Sequence, residues 1–415
     1  MPEIREVTNL TVPVPEIYHL PNGIPVYDTN LGTQEVVRLE LVFFAGRPFE
    51  KKKLASSGTA ALLREGTKHH TGEAIAEVFD YYGGSLSMPV SMDMSNILVY
   101  SLTKHFEKLL PLLAEILSEP TFPQKDLDAF KERNRRRLKV DLTKNDVLAY
   151  RKFTELLYGE EHPYGYNSYP ETYTALTRED LLTHFEENYT AANCMVFVSG
   201  NTGKPVRHLL EKYLGTVLLP GAHRKASLAP ANPSPEKIRI PHPDGVQTAI
   251  RIGCPFSNRL HDDFNGLNVL NTILGGYFGS RLMDNIREAK GYTYNVYSSL
   301  DTMLYDGYFY IGTEVGNEFL EPTLREIYHE CERLQGKLMW KNELEMVRNY
   351  LLGTMLTNLD GAFNVSEIVK SLVTEGLPLS AFEEMVVTIK TITAKELREL
   401  ARKYLQRDKM WEVVV

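Results

Sequence analysis

The sequence predicts an α+β fold built twice over, with strands and hairpins alternating with long amphipathic helices. Three observations carry that expectation. An alternating strand pattern at 37–44 is followed, about 210 residues later, by a similar one at 248–254. Each strand gives way to a polar stretch and then to an apolar helical segment, near 56–63 in the first case and 264–274 in the second. The two stretches also close alike. Residues 176–189 lead into a strand at 194–198, and residues 392–404 lead into one at 411–415. Thr177 and Thr393 stand where a helix N-cap belongs, with acidic residues in the turn that follows.

At 415 residues the chain is too long for one ordinary core, so the repeat is read as two tandem homologous domains. Each is expected to hold a mixed, mainly antiparallel sheet with helices packed on one face. Apolar stripes at helical spacing, Phe106-Leu109-Leu113-Ile116 and Leu344-Val347-Leu351-Met355, read as the core sides of such helices. Between the halves, four prolines within 218–235 and few large apolar residues mark a linker. The expected boundaries are therefore 1–217, a linker at 218–236, and 237–415.

Composition narrows the functional classes. Hydrophobic content of 43% and charged content of 24% suit a soluble globular protein, and no stretch is long enough to span a bilayer. A formal charge of −8 argues against a surface that tracks nucleic-acid phosphates. The densest basic run, Arg133, Arg135, Arg136, Arg137 and Lys139, lies in a helical pattern and reads as a solvated face or a contact for an acidic partner. Cys194, Cys254 and Cys331 include no Cys-x-x-Cys pair, so neither a disulfide framework nor a structural zinc site is expected. The first residues lack an apolar signal core, which places the chain in the cytoplasm, or in the periplasm if a signal peptide has been removed.

The segment 280–299 carries the sharpest chemistry. Arg287 falls in the last turn of a helical pattern that starts near Ser280, and Gly291 is suited to end that helix in a left-handed conformation. Residues 292–296 then read as strand, with Tyr294 seven positions beyond Arg287. Side chains flanking such a turn can converge. A guanidinium and a phenol together offer donors suited to a peptide carbonyl and its developing oxyanion. Position alone also leaves open a solvated helix arginine and a half-buried strand tyrosine. Just upstream, Gly275-Gly276-Tyr277-Phe278-Gly279 reads as a flexible run or a hinge between helices. It is a weak phosphate loop, because no Gly-Lys-Ser/Thr follows.

In order and spacing, Ser280-Arg-Leu, Ile286-Arg-Glu and Gly291-x-x-Tyr294 resemble the arginine/tyrosine motif in the C-terminal half of the pitrilysin/insulysin/mitochondrial-processing-peptidase family of zinc peptidases. The resemblance implies half of a clam shell, two of which enclose a peptide chamber. It gives Arg287 and Tyr294 catalytic roles, binding substrate backbone and stabilising the tetrahedral intermediate. Gly275, Gly276 and Gly279 fall where the family's non-catalytic subunit carries a longer glycine-rich loop, which implies substrate binding.

The family's metal motif is missing. Its His-x-x-Glu-His helix places two histidines on one face, with a later glutamate completing the shell. None of the eleven histidines begins that pattern. Counted back from Gly66-Thr67, the motif positions fall on Ser57, Ala60 and Ala61, and the third ligand falls near Leu138. His69-His70 with Glu73, and Glu160-Glu161-His162, are polar segments without partners at ligand spacing. The resemblance thus implies a subunit that binds no metal, with zinc expected in a homologous partner subunit and a peptide as shared substrate. No nucleic-acid or membrane partner is expected, and the isolated chain could pair with itself. The rival expectation is a catalytically inert structural or peptide-binding homologue acting as a homodimer.

Overall fold

In the computed structural model, residues 10–241 and 245–415 are described. The strands sort into two sheets. The first holds β1 (Glu16–His19), β2 (Pro25–Thr29), β3 (Val36–Phe43), β4 (Ser85–Ser87), β5 (Ser95–Leu102) and β6 (Cys194–Gly200), in the order β1-β2-β6-β3-β5-β4. The second holds β7 (Lys237–Arg239), β8 (Gln247–Phe256), β9 (Val296–Thr302), β10 (Gly307–Gly316) and β11 (Trp411–Val414), in the order β7-β11-β8-β10-β9.

The two orders superimpose strand for strand. β3 runs antiparallel between β5 and β6, as β8 does between β10 and β11. Among the described residues the only parallel pairs, β2 with β6 and β7 with β11, occupy the same place in each sheet. The first sheet adds β1 at its edge, antiparallel to β2. The helices that precede β6 and β11, Arg178–Asn188 and Ala394–Tyr404, start with the same device. Thr177 accepts from the Asp180 N–H and Thr393 from the Glu396 N–H, and each acidic side chain returns a bond to the cap's own N–H.

Each half lays its own helices on one face of its sheet. In β3, Val37, Leu39, Leu41 and Phe43 meet residues of helices Ala55–Leu62, Thr103–Ser118 and Gly203–Leu214 in one core. The opposite face is closed by a helix from the other half. Gly361–Thr374 lies across β2 and β6 of the first sheet, while Asn145–Tyr158 lies across β8 and β11 of the second. Phe153 and Leu157 of the latter are fully buried in the second core. Side chains of this size contribute roughly 1.5–3 kcal/mol each when removed from water. The sheets therefore share cores, and neither half keeps both its faces covered unaided.

Ion pairs accompany both exchanged helices. Arg38 on β3 is 3% exposed and meets the carboxylates of Glu40 and Glu367, while its guanidinium donates to the Phe363 carbonyl at 3.2 Å. Lys370 reaches both Glu40 oxygens at 2.9 and 3.1 Å, and the Asn96 amide donates to Glu40 Oε1 at 2.7 Å. On the second sheet, Arg251 of β8 is 1% exposed and pairs with Asp146 at the start of the 145–158 helix. The basic run on helix Gln124–Asp141 is a solvated face, with Arg135 and Arg136 paired to Glu132 and Arg137 to Asp141. All three cysteines are buried, and burial pushes the Cys254 and Cys331 thiols up to about 12. Among the described residues no helix is long and apolar enough to cross a membrane.

One buried carboxyl makes the fold sensitive to pH. Asp28 of β2 is buried and accepts from the Thr202 hydroxyl, yet burial pushes its carboxyl up to about 6. A raised carboxyl binds its proton more tightly in the folded state. Its stabilisation is complete below the ordinary value of 3.8 and is lost as pH rises through about 6. Asp28→Asn is therefore expected to match the parent near pH 4 and to exceed it by about 2 kcal/mol above pH 7. Urea unfolding of both proteins across that range checks it. A difference that stays constant between pH 4 and 7 would show that Asp28 titrates normally.

Candidate functional site

The helix that would hold a metal is Ala55–Leu62. It packs against helices Arg178–Asn188 and Gln124–Asp141. Its N-terminus is closed by Glu50, whose carboxylate accepts from the Ser56 N–H at 2.8 Å and from the Tyr166 hydroxyl at 2.6 Å. Burial pushes the Glu50 carboxyl up. Ser57 donates back to the Leu54 carbonyl at 3.2 Å, Ala60 is fully buried, and Leu138 is 6% exposed. A hydroxyl spent on its own helix and three apolar side chains do not fit a zinc ion, which needs imidazole, thiolate or carboxylate donors.

Among the described residues, no three His, Cys, Asp or Glu side chains are grouped as a metal ion requires. His69 faces Glu119 at 3.4 Å and His70 faces Glu115 at 3.0 Å, so each histidine has its own surface partner. His162 sits 3.0 Å from the Ala229 carbonyl. His184, on the 178–188 helix that packs against the degenerate one, is held neutral by burial, which pushes it down to about 4, and its Nε2 bonds the Ala45 carbonyl.

The Arg287 segment is more unusual than its sequence suggests. The apolar helix Phe264–Asn271 continues as a π-helical turn, Thr272–Gly276. A bend at 277–280 follows, then a helix whose main part, Met283–Ala289, is also π-helical. π-Helical segments are rare and often mark functional sites. Asn285 anchors this one from behind, donating to Glu330 at 2.7 Å and to Glu326 at 3.0 Å on helix Leu320–Gly336. Gly291 ends the segment with a φ of +65°, and its N–H bonds the Arg287 carbonyl, as the sequence predicts.

Beyond Gly291 the structure departs from expectation. β9 begins only at Val296, so 292–295 is an irregular link rather than a strand. Thr293 explains it: its hydroxyl bonds the Glu314 carbonyl at 2.6 Å, replacing a ladder contact with a side-chain one. Arg287 is 32% exposed and lies over the Phe278 ring at 4.6 Å, with Glu288 at 3.5 Å. Tyr294 is 90% exposed. The two share one surface segment, but no contact joins them, so the expected convergence is not made within this chain alone.

The glycine run is likewise mostly not a loop. Gly275 and Gly276 belong to the π-helical turn, and only Gly279 lies in the bend. Gly275 is buried against β9, where an added Cβ would sit 2.5 Å from the Ser298 nitrogen. That close backbone approach is a packing reason for a glycine, so the expected hinge is confined to 277–280. The bend itself is pinned. Tyr277 packs against Tyr350 in a tilted pair with ring centroids 4.8 Å apart, and Arg281 forks onto Glu343 at 2.7 and 2.9 Å. Phe278 has no distinguishing local signal, since the adjacent Tyr277 of the same glycine run packs inward on Tyr350 while Phe278 is 63% exposed.

Comparison with known proteins agrees with this picture. Residues 28–154 match the family model described as insulinase (peptidase family M16), and residues 175–351 match the one described as peptidase M16 inactive domain. An uncharacterized zinc protease of Rickettsia felis is 26% identical over 401 residues, covering 93% of this chain and 94% of that one. A Helicobacter pylori protein called a non-peptidase homolog, YmxG, is 24% identical over 361 residues, covering 84% of this chain and 81% of its own. The crystal structure of a peptidase M16 inactive domain from Pseudomonas fluorescens superimposes with a TM-score of 0.86 at 26% identity, covering 96% of this chain and 97% of that one. Matches to both halves, the repeated sheet and the degenerate metal helix lead to one conclusion: the chain belongs to the M16, or insulinase, family of peptidases, as a homologue of the inactive type.

Proposed function

We propose that this chain is the non-metal-binding subunit of a two-chain peptidase. Its partner would be a homologous subunit carrying the zinc motif, and the shared substrate a peptide. The observation that carries the reading is the surface pair Arg287 and Tyr294, kept on a chain whose metal positions are Ser57, Ala60, Ala61 and Leu138. Tyr294 is 90% in solvent on the same surface segment as Arg287, so its hydroxyl is free to face another molecule. A subunit that completes another chain's site needs this, because its donors must reach outward. Arg287 would give N–H donors, and Tyr294 a hydroxyl, to a peptide carbonyl and the oxyanion it becomes. β9 supports the same reading. It is the last strand of its sheet, pairs with β10, and starts two residues beyond Tyr294, so an extended peptide could add to that edge.

Reconstitution tests it. The chain is mixed with a homologue from the same genome that contains His-x-x-Glu-His, and cleavage of a fluorogenic peptide library is followed alongside metal analysis of each protein. The expected result is no cleavage by this chain alone, cleavage by the mixture, and zinc in the partner only. Stoichiometric zinc in this chain, or a mixture no more active than the partner, overturns the proposal. Its rival is a catalytically inert homologue, structural or peptide-binding, acting as a homodimer; the Helicobacter relative is called a non-peptidase homolog, which favours the inertness alone. That reading gains if the chain self-associates and binds library peptides without cutting them.

A further inference from the structure

We propose that Phe278 is a positioning residue for Arg287: its ring is a fixed shelf that holds the guanidinium flat and turns its N–H edge toward the substrate. The inference rests on the reading of Arg287 as a donor to a peptide carbonyl. Phe278 is 63% exposed at the tip of the 277–280 bend, an unfavourable place for a phenyl ring unless something covers it. What lies over the ring is Arg287, whose guanidinium carbon is 4.6 Å from the centroid, although most of the Phe278 side chain stays in solvent. The bend that carries the ring is anchored on either side. Tyr277 packs against Tyr350 in a tilted pair, the Ser280 N–H bonds the Tyr277 carbonyl at 3.1 Å, and Arg281 is forked onto Glu343.

A free arginine side chain samples many rotamers, and immobilising it on binding weakens whatever bond it makes. Stacking against an aromatic face removes much of that freedom beforehand. A ring against the guanidinium's face leaves its in-plane N–H groups to other acceptors. Glu288, the other neighbour, cannot do this: it lies at 3.5 Å, is itself half exposed, and competes for those same N–H groups.

The test uses the full chain in two arms. In the first, the Arg287 Nε–Hε resonance, assigned by its loss in Arg287→Ala, is recorded in the isolated chain. Phe278→Leu should remove its ring-current shift and Phe278→Tyr should retain it; an unmoved resonance in Phe278→Leu overturns the stack. In the second, peptide cleavage is measured in the mixture with the zinc-bearing partner. Phe278→Leu should lower kcat/KM by about two- to fivefold, the ratio an exposed cation–π contact sustains. Phe278→Tyr should restore it, and Phe278→Leu should add nothing to Arg287→Ala. An equal loss in the Arg287→Ala background overturns the positioning role. A mixture that cleaves nothing overturns the proposed peptidase function and the catalytic consequence with it, while the resonance still decides the stack.

Discussion

Arg38→Ala should destabilise the protein by about 3–5 kcal/mol, the cost of breaking a buried ion pair by deleting one partner. Arg38 is 3% exposed and bridges β3 to the 361–374 helix of the other half, meeting Glu40, Glu367 and the Phe363 carbonyl. Without it, Glu40 stays buried at 2% exposure, with Lys370 and Asn96 as its remaining partners. The measurement is urea unfolding with separate probes for the two sheets, because a chain with two shared cores can unfold in steps. The companion variant Arg38→Met/Glu40→Leu should recover most of the loss, since an apolar pair of similar volume carries no desolvation penalty. An Arg38→Ala protein as stable as the parent would mean that the exchanged helix is held by its apolar contacts and that the charges only select its register. Asp146→Ala at the second joint should also destabilise the protein, because it removes the carboxylate that meets Arg251, whose side chain is 1% exposed.

The same joint explains what the sequence shows and what it conceals. The duplication is legible because its signals are local: Thr177 and Thr393 cap their helices through bonds made within four residues, and the strands that follow take equivalent places in their sheets. The degenerate metal helix is legible for the same reason, since four spaced positions decide whether donors are present. The exchanged helices are not. Val37-Arg38-Leu39-Glu40-Leu41 alternates like a strand with one wet face, yet Arg38 and Glu40 are as buried as their neighbours. Their burial depends on Glu367 and Lys370, more than 300 residues away in sequence, and no local pattern reports a partner at that distance. The errors around the candidate site have a similar source. Residues 292–295 are drawn out of strand geometry by Thr293 bonding Glu314, and the glycine run is helical because Gly275 must pass close to Ser298.

The other large effect is expected on activity. In the reconstituted peptidase, Arg287→Ala should lower kcat/KM by about 10²–10³, the loss usual when one preorganised oxyanion donor is removed. The chain's own geometry sets that expectation. Arg287 is mounted on a π-helical segment tied to Glu326 and Glu330 through Asn285, and it lies against Phe278, so its position is fixed before substrate arrives. Arg287→Lys keeps the charge and loses the planar fork, and should recover only part of the loss. Tyr294 differs in kind. Its ring is 90% exposed with no contact to Arg287, so in the proposed assembly it would acquire surroundings from the second chain or the peptide. Tyr294→Phe should therefore leave the isolated chain's stability unchanged, within about 0.5 kcal/mol, while lowering activity in the mixture. If Tyr294→Phe and Arg287→Ala both retain full activity, the exposed pair has no part in hydrolysis. Those residues would then be surface side chains of an inert homologue, and the degenerate helix would be the whole of its functional history.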